Sequence, residues 1–327
     1  MTVLLTGAAG FIGFHTALAL LAAGERVIGV DNVNDYYEVS LKEARLDRLA
    51  NSDGDYTFHR IDVADYRAMD NLVAAHPDIT HVVHLAAQAG VRYSLENPRA
   101  YTRANVEGQL VLLEACRRLD RLEHFVYASS SSVYGANSKL PFSTEDRTDM
   151  PLSLYAATKK SAEMVAHCYA HIYGMPLTGL RFFTVYGPWG RPDMAAFIFI
   201  RKILAGEPIP VFNNGDMRRD FTYIDDIVDG VLACMGTLPA DDDKAAPMRL
   251  YNLGNNRSEP LMRFIAILEG ALGHKAEIEF QPIQRGDVKE TYADITAAAR
   301  DFGFAPKTTI DEGLPKLVAW YHEHYNA

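Results

Sequence analysis

Short apolar runs alternate along the chain with longer stretches in which apolar residues recur every three or four positions. The runs VLLTG (3–7), RVIGVD (26–31), YTFHRID (56–62), HVVHLAA (81–87), HFVYASS (124–130) and LTGLRFF (177–183) hold few polar interruptions. Such runs suit strands buried on both faces. The stretches 11–23, 66–75, 100–119 and 155–173 carry the helical period. Strand and helix in regular alternation predict an α/β fold built on a doubly wound parallel sheet. After residue 184 the pattern loosens into loops rich in Pro, Gly and Asn, such as GEPIPVFNNGD (206–216). We expect one lobe over 1–183, with 225–257 returning to pack on it. A smaller mixed α/β lobe over 184–327 should lie above the carboxyl ends of the strands, where open α/β sheets bind ligands.

Composition narrows the classes of function. The 327 residues, 48% hydrophobic and 23% charged, are enough for a large core. The net charge of −10 argues against a nucleic-acid surface, so an anionic ligand must be drawn by a local basic pocket. Cys116, Cys168 and Cys234 are scattered and odd in number, which predicts buried thiols in a reducing compartment and no bound metal. The first residues run directly into TVLLTGAAG, and no apolar run approaches the ~20 residues of a membrane helix. The expectation is a cytoplasmic protein with no membrane partner. The acidic PADDDKAAP (239–247) reads as a solvated loop.

Two motifs carry chemistry. GAAGFIG follows the first strand and opens a helix. Gly7 allows the tight turn, Gly10 lets a pyrophosphate approach the helix N-terminus, and Gly13 lets helix and strand pack closely. Asp31 closes the next strand, where a carboxylate accepts from ribose hydroxyls and repels a 2′-phosphate. Strand, glycines, helix and acid together make 1–183 a Rossmann-type lobe for NAD rather than NADP. Asp62, ending the third strand, suits the adenine edge or caps the helix of VADYRAM. The second motif begins at YASSSSVYG (127–135) and continues at YAATK (155–159). Tyr155 and Lys159 stand at i and i+4 on one helical face. A free phenol has a pKa near ~10, too high for a base at neutral pH. A nearby ammonium lowers it. Ser130 can hydrogen-bond the same substrate oxygen, so the trio can take a hydroxyl proton while hydride leaves the carbon.

The chain here resembles the extended short-chain dehydrogenase/reductase family, through TGAAGFIG, HLAAQAG, NVEG, YASSSSVYG and YAATK. The resemblance runs nearly end to end and implies that Ser130, Tyr155 and Lys159 are the catalytic trio. It implies cofactor contacts from Gly7, Gly10, Phe11, Ile12, Gly13, Asp31, Asn32, Asp62, Val63, Leu85, Ala86, Ala87 and Asn105, with Tyr155 and Lys159 reaching the same cofactor. It also puts Asn105 of NVEG beside the site, supporting the helix of Tyr155 and Lys159. GDMRRDFTYIDDI (215–227) and RGDVKETYAD (285–294) resemble the nucleotide-sugar epimerase and dehydratase branch. There Arg219 and Arg285 would hold a diphosphate, as paired guanidinium donors can, and Asp287 a nucleoside ribose. VFNNGD (211–216) lies where a nucleobase pocket is expected.

The strand end SSSSVYG narrows the branch. Similar dehydratases carry an Asp-Glu pair where Ser131 and Ser132 stand, and UDP-glucuronate decarboxylases usually carry Glu at the place of Ser132. Without that acid, 4-epimerisation through a transient 4-keto sugar fits best. Hexose 4-epimerases usually hold Asn at the place of Thr184. Here Thr184 is followed by the stiff loop GPWGRPDM and its Arg191. Pro192 confines Arg191 to extended geometry. Thr184 and Arg191 would clamp a sugar carboxylate, Ser132 would also contact the substrate, and Arg92 of GVRYSLENP would be a second carboxylate or phosphate contact. With DNVNDYYEVSLKEARLDRL (31–49), these stretches look most like UDP-glucuronate 4-epimerases.

Alternatives remain open at this level: a UDP-glucose/UDP-galactose 4-epimerase, a UDP-glucuronate decarboxylase, or a non-catalytic NAD-binding module. The last would typically lose Tyr155 or Lys159. Arg191 read as an ordinary loop residue would bond backbone carbonyls. Related enzymes pair two helices per subunit, so Val106, Leu110, Leu113, Ala162, Val165 and Ala166 are expected at a homodimer face, or else in the chain's own core.

Overall fold

A computed structural model of the chain describes residues 1–239, 246–284 and 286–326. The six expected strands form as β1 Thr2–Thr6, β2 Arg26–Asp31, β3 Tyr56–Arg60, β4 His81–His84, β5 His124–Ser130 and β6 Leu177–Phe182. Six shorter or later ones follow: β7 Thr184–Tyr186, β8 Ile209–Phe212, β9 Arg218–Tyr223, β10 Met248–Leu253, β11 Ser258–Pro260 and β12 Ile278–Gln281. Among the described residues the main sheet is seven-stranded, ordered β10-β6-β5-β4-β1-β2-β3, with every pairing parallel. Its order reverses between β1 and β4. The carboxyl ends of neighbouring strands diverge there and leave a crevice for a ligand. Two smaller sheets, β11-β9-β7 and β12-β8, belong to the later part of the chain. The fold is the α/β, Rossmann-type architecture read from the pattern.

The central strands are continuous apolar runs because helices cover both faces. Val3, Leu4, Leu5, Val82, Val83, Phe125 and Val126 have no exposed surface. β3 closes one edge and is half-exposed along its length. Helices Phe11–Ala22, Tyr66–Ala75 and Leu154–Tyr173 sit within a residue or so of the expected stretches. The 100–119 stretch is helical from Pro98 to Cys116, with a π-type segment over Thr102–Glu107. A further helix, Val39–Ala50, occupies what the sequence presents as a charged stretch after β2.

One expectation is corrected and two open alternatives are narrowed. Leu113, Ala162 and Ala166 are buried in the chain's own core, while Leu110 is 42% exposed, so the six proposed interface residues do not share one outward face. Cys116 and Cys234 are buried but Cys168 is exposed, because it falls on the outer side of the Leu154–Tyr173 helix. Asp62 does not cap the helix of VADYRAM. Asp65 does, accepting from the backbone N–H of Arg67 and Ala68 at 3.1 Å. No described helix is long and apolar enough to cross a membrane. Of PADDDKAAP, residues 240–245 lie outside the described residues, as does Arg285.

Candidate active site

The glycine turn is built by close approach. Gly7 holds φ +77, and a Cβ there would meet the Ala86 backbone N at 2.7 Å. A Cβ on Gly13 would stand 2.0 Å from the Gly7 carbonyl oxygen, which only glycine avoids. Gly10 opens the Phe11–Ala22 helix with no capping side chain and no acid in its first turn. Its N-terminal N–H groups and the positive end of its dipole therefore suit a pyrophosphate. Asp31 accepts from the backbone N–H of Ala9 at 3.1 Å and of Val33 at 2.8 Å. Burial raises its pKa, against the pull of those bonds and of Lys42 and Arg45. Each oxygen keeps a lone pair for a ribose hydroxyl. Asn32 is exposed and its Oδ1 accepts from the Asn34 N–H. Phe11 and Val63 are nearly buried, while Ile12, Leu85, Ala86 and Ala87 are partly open along the crevice. Asp62 accepts from the Ala64 N–H at 2.9 Å and pairs with Arg103 at 3.2 Å. This bare-walled cradle fits an adenine dinucleotide.

The proton-handling residues meet on the other side of the crevice. Ser153 caps the Leu154–Tyr173 helix by accepting from the Ala156 N–H, fixing Tyr155 in its first turn. Ser130 ends β5, and its hydroxyl accepts from the Ser132 N–H at 3.2 Å. Burial raises the Tyr155 phenol, while a hydrogen bond with Ser130 and the charge of Arg191 pull it down. Lys159 is buried and donates to the Ala128 carbonyl at 2.9 Å. Burial brings its ammonium down to about 8, and Glu163 partly restores it. Asn105, buried in the π-type segment, accepts from the Gln88 N–H at 2.8 Å. Its amide donates to the Gln88 carbonyl and to Thr158 Oγ1, both at 3.0 Å. Asn105 thus ties the loop after β4 to the Tyr155 helix, and these bonds occupy its amide.

Two groups beneath the site are absent from the motif reading. Glu163 extends the Tyr155–Lys159 ladder by one more i+4 step. It accepts from Arg181 Nε at 2.8 Å and Nη2 at 2.9 Å, and from Ser129 Oγ at 2.6 Å. Arg181, 1% exposed, donates on to the Tyr134 hydroxyl, which reaches Asn252 on β10. A buried pair with every donor matched fixes geometry more than it adds stability. Continued i+4 spacing is the signal that could have found Glu163.

The stiff loop after β7 is held by more than its prolines. Trp189 sits at φ +61 and Gly187 at φ +148. Arg45, fully buried on the Val39–Ala50 helix, donates to the carbonyls of Trp189 at 2.6 Å and Gly190 at 3.2 Å. Its other arm reaches the Ala9 carbonyl of the glycine turn at 2.8 Å and the Tyr37 hydroxyl at 2.7 Å. His15 bonds the Pro188 carbonyl at 2.9 Å. Arg191, Thr184 and Phe11 line one cavity. The guanidinium pairs with Asp193 through Nε at 3.0 Å and Nη2 at 2.5 Å, not with backbone carbonyls. Tyr36 donates to the same Asp193 at 3.0 Å.

In the later part of the chain Arg219 pairs with Asp287 at 2.7 Å and donates to the carbonyls of Arg218 and Lys289. Gly286 lies against Val91 and Leu152, so this segment reaches the rim beside Tyr155. Arg92 stacks over the Phe212 ring at 4.9 Å, joining the loop after β4 to β8 rather than joining Arg191. Ser132 stands beside Ser130 with no carboxylate in its place. His167 and His171 stack on the outer side of the catalytic helix. Among the described residues no group of three or more His, Cys, Asp or Glu could hold a metal ion.

Comparison with known proteins places the chain in a family. The chain is 50% identical over 335 residues to UDP-glucuronate 4-epimerase 2 of Arabidopsis thaliana, covering 99% of this chain and 76% of the plant protein. It superposes with TM-score 0.90 and 34% identity on UDP-glucuronic acid 4-epimerase from Bacillus cereus in complex with UDP-glucuronic acid and NAD, covering 99% of this chain and 100% of that one. It also superposes on UDP-glucose 4-epimerase of Thermotoga maritima with UDP-glucose, with TM-score 0.87, 31% identity and coverage of 99% and 100%. The backbone is thus shared by enzymes of acidic and neutral sugars. Residues 3–254 match the model of the NAD dependent epimerase/dehydratase family. The chain belongs to that family and is an NAD-dependent nucleotide-sugar epimerase.

Proposed function

We propose that the chain interconverts UDP-glucuronate and UDP-galacturonate by inversion at carbon 4. The observation that carries this reading is Arg191, which lines a cavity with Thr184 and whose charge is felt at the Tyr155 phenol. A cation beside the catalytic hydroxyl matches a carboxylate one carbon from the reacting centre. Tyr155 takes the 4-hydroxyl proton and later returns it, with Ser130 holding the same oxygen and Lys159 supplying positive charge behind it. The Gly7–Gly13 turn and Asp31 would hold NAD, which would supply the reversible hydride acceptance that inversion at carbon 4 needs. Arg219 and Arg285 are assigned to the diphosphate, Asp287 to the ribose, and Arg92 with Phe212 to the rim of the base pocket. Ser132 leaves no acid to protonate carbon 5 or to drive elimination, which favours epimerisation over decarboxylation.

Proton NMR of the purified protein with UDP-glucuronate and no added NAD tests the reading. The expected outcome is UDP-galacturonate, made by enzyme that carries its own cofactor. A UDP-pentose would move the chain to the decarboxylases. Turnover confined to UDP-glucose would reduce Arg191 to a loop residue.

A further inference from the structure

The charge on Arg191 is already answered inside the chain. Asp193, two residues on, takes the Nε–Nη2 edge of the guanidinium at 3.0 and 2.5 Å. The Tyr36 hydroxyl donates to Asp193 Oδ2, the oxygen that also accepts from Nη2. The Tyr36 hydroxyl lies close to the guanidinium as well as to the carboxylate. Both side chains of the pair are largely buried, with 20% and 26% of their surface exposed. Burial works against the charge on Asp193, but Arg191 and the Tyr36 hydroxyl outweigh it and hold the carboxyl below its usual range. The pair is therefore ionised and close to neutral as a unit, and the edge of the guanidinium that Asp193 takes is not offered to a ligand.

Epimerisation puts an unusual demand on such a contact. The 4-keto sugar has to turn over between the two hydride steps, so anything that holds the carboxylate must also let it go. A bare buried guanidinium would bind a carboxylate strongly in the first orientation and deepen the ground state. Stabilisation confined to the ground state lowers KM while it lowers kcat. We propose that Asp193 is a positioning residue that offsets the charge of Arg191, so that the sugar carboxylate is oriented yet released during turnover, and that Tyr36 fixes Asp193 in that place. This rests on the uronate reading of the site.

Steady-state kinetics of the full chain with its bound cofactor separate the possibilities. In Asp193→Asn the acceptor shape stays and the charge goes. KM for UDP-glucuronate is expected to fall about three- to tenfold and kcat to fall by a similar factor. Inhibition by UDP, which has no carboxylate, should stay within about twofold. Asp193→Glu restores the charge and should bring KM back toward the parent value. Tyr36→Phe keeps the charge but frees Asp193, so kcat should drop a few-fold with KM little changed. If Asp193→Asn raises KM, or changes UDP inhibition equally, Asp193 merely supports the loop and the inference is overturned while the uronate reading stands. Should Asp193→Asn fail to fold, Tyr36→Phe decides: a KM rise matching its kcat loss overturns the inference. If the parent protein does not turn over UDP-glucuronate at all, the uronate reading falls and this inference with it.

Discussion

Tyr155 gains its role from what surrounds it. Burial alone would leave the phenol a poor base, since it raises the pKa. Ser130 and Arg191 act in the other direction. Tyr155→Phe removes the hydroxyl that the proposed reaction uses to exchange a proton with the sugar and keeps the ring's edge-on packing against Tyr101. Turnover should fall by about 10²–10⁴, the usual worth of a positioned acid–base group, with the melting temperature nearly unchanged. Activity within tenfold of the parent would mean that another group moves the proton. These residues were readable in the sequence because an i, i+4 pair after a strand-end serine is a short-range pattern. Arg45, Arg181 and Asp193 were not. A charged side chain in KEARLDR or RPDM reads as solvent-facing until the chain folds back and supplies the carbonyls and carboxylates that bury it.

The loop after β7 and the Val39–Ala50 helix act as one piece. Arg45 makes that connection, bonding the glycine turn with one arm and the Trp189–Gly190 carbonyls with the other. The prolines of GPWGRPDM restrict the loop locally, as the sequence indicates. Keeping Trp189 at φ +61 also takes its packing on Phe14 and Trp320 and the Arg45 bond to its carbonyl. Arg45→Met would leave three buried carbonyls without their donor. The expected loss is about 3 kcal/mol or more, a fall of several degrees in melting temperature. The same variant should release bound NAD more readily, since the glycine turn loses a contact at Ala9. Calorimetry, together with the absorbance of cofactor retained after gel filtration, checks both. A shift below about 2 °C with full retention would show that the loop holds itself.

The strands of the seven-stranded sheet up to β6 could be anticipated from alternation alone. β10 falls within 225–257, the stretch expected to return to the first lobe, although 65 residues (183–247) separate it from its partner β6. The sheet's burial also fixes how the protein responds to acid. His84, fully enclosed beside Lys159 and bonded to Thr6 Oγ1, is lowered by burial to about 3. His15, held to Pro188, and His124, held to Met235 and Thr178, are each lowered to about 4. Between pH 6.5 and 4 these rings gain a proton in the unfolded chain and remain neutral in the folded one. The unfolded state then binds more protons, so stability rises with pH across this window and is lost as pH falls, by about 1.4 kcal/mol per pH unit for each ring. Asp220 acts oppositely. Burial raises it to about 6, so the folded chain binds its proton first and gains stability as pH drops from about 6. Burial likewise lowers His59 and His81 and raises Asp31 and Asp225, so five imidazoles against three carboxyls leave a net loss toward acid. Melting temperatures taken from pH 7 to 4.5 should therefore fall throughout, most steeply below pH 6. A flat profile would mean that the three rings accept protons without unfolding, and that the packing around His15, His84 and His124 opens to water while the sheet stays intact.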